Sequence, residues 1–139
     1  MGKPGDPDSC ALGAKSFSKV LPSPIPFAAI CVDMVGDAEL HIPIERNSYV
    51  QNPLLIKKLW GLAKELELNA FDKTLQYEIF DDHVPLWEEA QIPAIDLIDF
   101  NYPNRRSNYW HTHQDIPVHC SAESLGQVGT LLIHYIYRL

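Results

Sequence analysis

Two clusters of acidic and imidazole side chains stand out in the sequence. One contains Asp81, Asp82 and His83, and the other is the run H-T-H-Q-D at residues 111–115. Carboxylate oxygens and imidazole nitrogens bind zinc, and they are also the groups that most often transfer protons in catalysis. Because the apolar segment 92–100 separates the clusters, we expect a strand whose ends present them at one rim of a sheet.

Three aspartates lie in or beside apolar segments. Asp96 and Asp99 interrupt the segment 92–100, where an unpaired buried carboxylate is costly. Strand alternation places their side chains on opposite faces, so each must reach water, a cation, a hydrogen-bond donor or a metal. Asp33 stands near the end of a second apolar run, residues 27–35, and open α/β sheets bind ligands at the carboxyl ends of their strands.

Four of these side chains offer the oxygen and nitrogen ligands that suit zinc: Asp33, Asp81, Asp82 and His111. A catalytic zinc commonly takes three protein ligands and a water, and further carboxylates orient the imidazole ligand. The sequence has no HExxH helix, which excludes a thermolysin-type site. A structural alternative stays open, because an Asp-Asp pair before a helix also serves as an N-cap.

The strands that must position these groups are predicted from the apolar runs. Residues 27–35 and 92–100 predict strands, the first of them buried on both faces. Residues 39–44 alternate and fit an edge strand or a loop, and residues 71–79 are ambiguous and contain at most a short strand. Residues 101–107 are rich in turn formers and predict a loop.

Helices are predicted between these strands, at residues 10–21, 53–68 and 84–90 and after Ser121. Each start carries capping residues, namely Asp8 or Ser9, Asn52 with Pro53, Asp81 or Asp82, and Ser121. The last helix is predicted to bury the stripe Leu125, Val128, Leu132 and Ile136. The alternation of helices and strands indicates the α/β class.

Composition narrows the function classes. The chain has 139 residues, of which 46% are hydrophobic and 21% charged, and its net charge is −7. It lacks a basic stripe, so nucleic acid is not an expected partner, and the acidic balance disfavours anionic membrane surfaces.

Three widely spaced cysteines predict free thiols rather than a disulfide framework. No apolar run reaches the ~18 residues of a membrane span, and the N-terminus has no signal-peptide pattern.

Four blocks in order resemble the di-zinc aminopeptidase and glutaminyl cyclase superfamily. They are ICVDMVGD at residues 30–37, DDHVPL at 81–86, IPAIDLID at 92–99 and YWHTHQD at 109–115. The resemblance covers residues 10–139 and implies a three-layer α/β sandwich with a mixed, mostly parallel sheet. Members of this superfamily are often secreted or periplasmic, and the compartment of this chain is left open.

The resemblance also implies roles for individual residues. His111 is similar to the zinc-binding histidine of the closing block, and Asp33 to a strand-end aspartate that binds the second zinc in two-metal members. In the one-zinc cyclases that aspartate belongs to a hydrogen-bond network near the metal, together with an acid that Asp81 resembles. Trp110 is similar to the tryptophan that walls the substrate pocket. The catalytic role goes to Asp81, and four residues are expected around the metal ligands: Asp82, His83, Asp96 and Asp99.

One departure from the superfamily pattern limits the functional prediction. Its His-x-Asp segment and its Glu-Glu or Glu-Asp pair, which supply further zinc ligands and the general base, have no counterpart in residues 1–21. We therefore expect residues 1–139 to form a single, partial domain that corresponds to the C-terminal half. An upstream half-domain, or self-association through exposed sheet edges, would then be a partner.

Three functions follow from the resemblance. The first is zinc-dependent hydrolysis at peptide N-termini by an aminopeptidase, with one or two zinc ions in the complete domain. The second is cyclisation of N-terminal glutamine. The third is non-enzymatic: an inactive fragment, or a binding module that reuses the fold.

Overall fold

Helices and strands alternate along the computed structural model, which describes residues 10–138. The helices are α1 (Leu12–Ser18), α2 (Arg46–Gln51), α3 (Pro53–Glu65), α4 (His83–Glu88) and α5 (Ala122–Tyr137). The strands are β1 (Ala29–Asp33), β2 (Ile42–Glu45), β3 (Phe71–Gln76), β4 (Ala94–Ile98), β5 (Pro103–Asn104) and β6 (Ser107–Asn108). A 3-10 turn spans Pro117–His119. The predicted α/β class is confirmed.

Parallel pairing brings distant segments of the chain together. β1 pairs with β4 in parallel, from Ala29 opposite Ala94 to Asp33 opposite Ile98. β2 pairs with β3 in parallel, and β5 and β6 form a short antiparallel hairpin. Because parallel strands run in the same direction, the carboxyl ends of β1 and β4 lie at the same edge of the sheet, as the sequence predicts.

Helices cover both faces of the β1–β4 sheet. On one face, α1 and α4 pack through Ala14 and Leu86 against Ala94. On the other face, Ile95 and Leu97 join a larger core with residues of α3 and α5, such as Leu59 and Leu131, which are fully buried. Burial of each such aliphatic side chain stabilises the fold by roughly 1.5–3 kcal/mol. The layering matches the predicted three-layer sandwich.

Two of the predicted helix starts are confirmed by their capping bonds. The Asn52 side chain accepts a hydrogen bond from the Leu55 N–H at 3.1 Å, directly before Pro53. The Ser121 hydroxyl accepts bonds from two N–H groups of the first turn of α5. Helix α1 is shorter than predicted, and its predicted caps Asp8 and Ser9 lie outside the described residues.

The prediction that the first strand is buried on both faces is wrong. β1 is half-buried at its start, and Val32 is 42% exposed near its end. Ile30 packs against the core formed with α3 and α5, whereas Val32 lies outside that core. Within residues 10–138, β1 has a paired strand only on the β4 side.

The predicted apolar stripe of α5 is right in its middle, where Val128 is buried and Leu132 packs against the core, and wrong at its two ends. Leu125 and Ile136 are 50% and 58% exposed. The face turned to the core instead contains Ser124, Val128, Leu131 and Tyr135. The helix carries apolar side chains on adjacent faces, and packing against α3 selects the face displaced by about one residue.

Smaller differences concern the loops and the cap of α4. Residues 101–107 contain part of the β5–β6 hairpin rather than an unstructured loop. Asp82 occupies the N-cap position of α4 but makes no capping bond, and its N–H instead donates to Asp81 Oδ1 at 2.7 Å.

The two segments that the sequence left ambiguous, residues 39–44 and 71–79, contain strands β2 and β3. All three cysteines are free, as predicted. No helix among residues 10–138 is long and apolar enough to cross a membrane.

Candidate active site

A pocket of about 350 Å³ lies at the carboxyl edge of the β1–β4 sheet. Its lining includes Asp33, Asp81, Trp110 and His111, which come from separate stretches of the sequence. Apolar side chains complete the lining, among them Phe80, Ile98 and Phe100. The structure therefore brings together the four residues that the sequence analysis assigned to catalysis, metal binding and substrate binding.

Asp33 is positioned by the turn that ends β1. Met34 adopts a left-handed backbone with φ of 52°, and its N–H donates to Asp33 Oδ1 at 2.8 Å. Burial raises the pKa of Asp33, and the nearby Asp81 carboxylate raises it further, whereas the Met34 bond and His111 lower it. The two carboxylates are thus close enough to repel each other, and a cation bound between them would relieve that repulsion.

His111 is held by a turn and by the indole beside it. Its φ of 58° lies in the left-handed region, which is unfavourable for a residue with a Cβ and is often found at functional sites. The Trp110 ring stacks on the imidazole with centroids 4.0 Å apart. The Trp110 N–H donates to Asn108 Oδ1 at 2.7 Å, and the Thr112 hydroxyl donates to the Tyr109 carbonyl at 2.7 Å. These bonds hold the turn that carries both residues.

The other four predicted residues lie outside the pocket lining. Asp82 is exposed at the start of α4. Asp99 is buried on the opposite face of β4 from Asp96, as strand alternation predicts, and accepts bonds from the N–H groups of His41 at 2.8 Å and Asn101 at 3.0 Å. Burial raises the pKa of Asp99 despite these bonds.

His83 and Asp96 belong to a buried polar cluster with Glu45. His83 Nε2 lies 3.3 Å from Glu45 Oε2, and His83 Nδ1 lies 4.0 Å from Asp96 Oδ2. All three side chains are at most 1% exposed. Burial raises the pKa of Asp96 to about 7, against the lowering effect of His83. Neither Asp96 carboxylate oxygen has a hydrogen-bond partner within residues 10–138, which is consistent with a carboxyl that holds its proton.

Glu45 is the part of this cluster that the sequence analysis missed. Its carboxylate accepts bonds from the Ser48 hydroxyl at 2.7 Å and from the N–H groups of Ser48, Asn47 and Ile79. Burial alone would raise the pKa of Glu45, but His83 and these donors lower it to about 2. Glu45 is the N-cap of α2, a position where Ser, Thr, Asp and Asn are the usual residues, so its type gave no capping signal in the sequence.

A protein-family model described as "Peptidase family M28" matches residues 8–136. The chain belongs to peptidase family M28. The superfamily predicted from the sequence is thereby confirmed, because the M28 chain is also similar to solved structures of both predicted kinds. None of the curated proteins matches it at a significant level.

The solved structures similar to the M28 chain include cyclases and exopeptidases. Glutaminyl cyclase from Porphyromonas gingivalis is 30% identical with a TM-score of 0.89, and the match covers 99% of this chain and 52% of that one. A leucine aminopeptidase precursor from Bacteroides thetaiotaomicron is 26% identical with a TM-score of 0.89, covering 100% and 48%. A Zn-dependent exopeptidase from Parabacteroides distasonis is 25% identical with a TM-score of 0.86, covering 100% and 49%. The M28 chain thus spans about half the length of these proteins.

The described residues of the M28 chain do not fit a complete zinc site. A catalytic zinc commonly takes three protein ligands. Within residues 10–138, no three His, Cys, Asp or Glu side chains form a group that could hold a metal ion. Asp33 and His111 can supply two ligands at the pocket, so a full site needs at least one ligand from elsewhere.

Proposed function

We propose that this chain forms one wall of an active site that acts at the N-terminus of a peptide, in the manner of a zinc-dependent aminopeptidase. The observation that carries the proposal is the pocket in which Asp33 and Asp81 face the stacked pair of Trp110 and His111. Residues 1–139 would then be a single, partial M28 domain. An upstream half-domain, or a second copy joined through exposed sheet edges, would complete it.

The charge and shape of the pocket suit the end of a peptide rather than its middle. A free α-amino group has a pKa near ~7.7–8.0 and is largely protonated at neutral pH. Asp33 and Asp81 repel each other, so a protonated amine between them gains from both carboxylates. Trp110 and Phe100 offer an apolar wall for the first side chain, and a volume of about 350 Å³ accommodates one residue.

Zinc is proposed on the family and on the donor atoms of two residues. His111 and Asp33 are the residues of this chain that we assign to the metal, and Trp110 holds the His111 imidazole in a fixed direction. Asp81 is assigned to proton transfer, because it lines the pocket beside Asp33 and carboxylates are common proton-transfer groups in catalysis. The four residues around them, Asp82, His83, Asp96 and Asp99, are proposed to support this arrangement from outside the pocket.

Cyclisation of N-terminal glutamine is the second candidate, favoured by the 30% identity to a structure described as a glutaminyl cyclase. In that reaction the α-amine attacks the carbon of its own side-chain amide, a C–N bond forms and ammonia leaves. The α-amine loses a proton and the leaving nitrogen gains one, which an acid such as Asp81 can transfer. The third candidate is a binding module without turnover, favoured by the incomplete set of metal ligands.

Product mass separates the candidates. The chain, completed by its upstream half-domain, is incubated with zinc and with either an aminoacyl amide or a glutaminyl peptide, and the product masses are measured by mass spectrometry. We expect zinc-dependent addition of water to the aminoacyl amide, lost in His111→Ala and retained in His113→Ala, a matched control because His113 does not line the pocket. Loss of ammonia from the glutaminyl peptide alone would select cyclisation, and binding without any product would select the binding module.

A further inference from the structure

An open groove of about 680 Å³ continues from the pocket. Phe100 lines both spaces, so they share a wall. The Phe100 ring lies 5.4 Å from the Trp110 ring on the pocket side and 5.7 Å from the Tyr77 ring on the groove side. An extended peptide rises ~3.3 Å per residue, so each of these ring-to-ring distances is comparable to one or two residues of a bound peptide.

Side-chain amides line the groove beyond the aromatic row. They belong to Gln76, Asn101, Asn104 and Asn108. Each amide offers both donors and an acceptor, the combination that matches the N–H and C=O groups of a peptide main chain. Among the described residues, the Asn101 and Asn104 amides accept bonds through Oδ1, and their Nδ2 groups make no bond to the protein. Two donors are therefore available to a ligand.

Arg105 lies at the tip of the β5–β6 hairpin and lines the groove. Its Nη2 donates to Gln76 Oε1 at 3.2 Å, which directs the guanidinium along the lining. Within residues 10–138 it has no ion pair with a carboxylate, although the chain has 18 acidic and 11 basic residues. A guanidinium left without a carboxylate in an acidic protein is well suited to pair with one from a ligand.

We infer that the groove binds the part of a peptide that follows the residue held in the pocket, and that Arg105 pairs with a carboxylate in that part. The inference rests on the proposed function, because that function places the N-terminus of the peptide in the pocket and so sets the direction of the peptide in the groove. The carboxylate is either the C-terminus of a short peptide or the side chain of a downstream Asp or Glu. The protein would accordingly prefer short or acidic peptides over neutral, blocked ones.

Binding of three matched peptides to the 139-residue chain tests this inference. One tetrapeptide has a free C-terminal carboxylate, the second has a C-terminal amide, and the third has the amide and a glutamate at its last position. We expect the first or the third to bind about tenfold more tightly than the second, and the stronger of them identifies the source of the carboxylate. The preference is lost in Arg105→Gln and kept in Arg106→Gln, whose native arginine is on the same hairpin but does not line the groove.

Equal affinity for the three peptides, or equal losses in Arg105→Gln and Arg106→Gln, would overturn the inference. A single aminoacyl amide, which reaches only the pocket, is included as a competitor. If the aminoacyl amide binds as tightly as the tetrapeptides, the groove does not bind peptide, and the proposed function is unaffected. If tetrapeptide binding depends on Arg105 but the aminoacyl amide does not compete with it, the groove binds peptide and the proposed function is wrong.

Discussion

The indole of Trp110 stacks on the imidazole of His111, with ring centroids 4.0 Å apart and planes inclined by 21°. The stack links the apolar wall of the pocket to its metal-ligand candidate, and Trp110 is still 44% exposed and thus accessible to a ligand. The indole stacks on the histidine and also lies 5.4 Å from the Phe100 ring, whose plane is inclined to it by 56°.

Truncation of Trp110 is expected to weaken peptide binding without unfolding the protein. Trp110→Ala removes an aromatic wall, and aromatic pairs of this kind contribute ~0.5–1.5 kcal/mol, so affinity for a peptide with an apolar first residue falls about two- to tenfold. Trp110→Phe retains most of the affinity. Trp87→Phe, in α4 and outside the pocket, serves as the control in a fluorescence titration. Equal affinity of Trp110→Ala and the native chain would contradict the assigned role.

Zinc binding is expected to depend on one histidine of the H-T-H run and not on the other. His111 lines the pocket with Asp33, whereas His113 does not. In the completed domain we expect His111→Ala and Asp33→Ala each to weaken zinc affinity at least about tenfold, because each would remove a proposed ligand. His113→Ala should stay within about twofold of the native chain. Isothermal titration with zinc measures these values, and a similar loss for both histidine variants would remove His111 from the proposed site.

The buried Asp96 carboxyl is expected to make stability depend on pH. Its pKa is about 7 in the fold against an ordinary value of 3.8, because burial and the acids Asp81, Asp33 and Glu45 outweigh His83. A raised folded-state pKa stabilises the fold fully below the unfolded pKa, and this stabilisation is lost as the pH rises through 7. The free energy of unfolding should therefore fall from about pH 4 to about pH 7.

Urea unfolding of Asp96→Asn across the same pH range tests this dependence. The neutral amide leaves the profile flatter and makes the variant relatively more stable at high pH than at low pH. Asp82→Asn is the matched control, because Asp82 is exposed on the surface. Parallel profiles for the native chain and Asp96→Asn would show that Asp96 is not the responsible group.

Glu45 is expected to be essential to the stability of the fold. Its carboxylate accepts several hydrogen bonds and lies 3.3 Å from the buried His83. Glu45→Gln removes a buried carboxylate that accepts several hydrogen bonds and turns an amide group toward N–H donors, so we expect a loss of ~1.5–3 kcal/mol. Glu88→Gln, at an exposed position of α4, should cost less than about 0.5 kcal/mol. Chemical denaturation measures both, and a loss below about 1 kcal/mol for Glu45→Gln would contradict this role.

Much of the fold and the main pocket could be predicted from local sequence signals. Asn52 with Pro53 and Ser121 mark helix starts through bonds made within one turn, so they require no knowledge of the rest of the chain. Asp33 and the residues after β4 meet because parallel strands share one carboxyl edge, which the apolar runs already indicate. The resemblance to a zinc enzyme superfamily added His111 and Trp110.

The features that could not be predicted depend on distant contacts. The cluster of Glu45, His83 and Asp96 joins three elements far apart in sequence, and no spacing within any one of them indicates the others. The buried face of α5 is chosen by packing, since adjacent faces of that helix are both apolar. The six-residue helix α2 is too short to show an apolar period.

Besides the metal and proton-transfer roles proposed for them, Asp33 and Asp81 are proposed to attract the free N-terminus of a peptide. The most direct measurement compares the affinity of the chain for one peptide with a free amine and for the same peptide acetylated at its N-terminus. We predict that the free-amine peptide binds at least about tenfold more tightly, and that Asp33→Asn and Asp81→Asn each reduce this difference. Equal affinity for the free and the acetylated peptide would contradict the account.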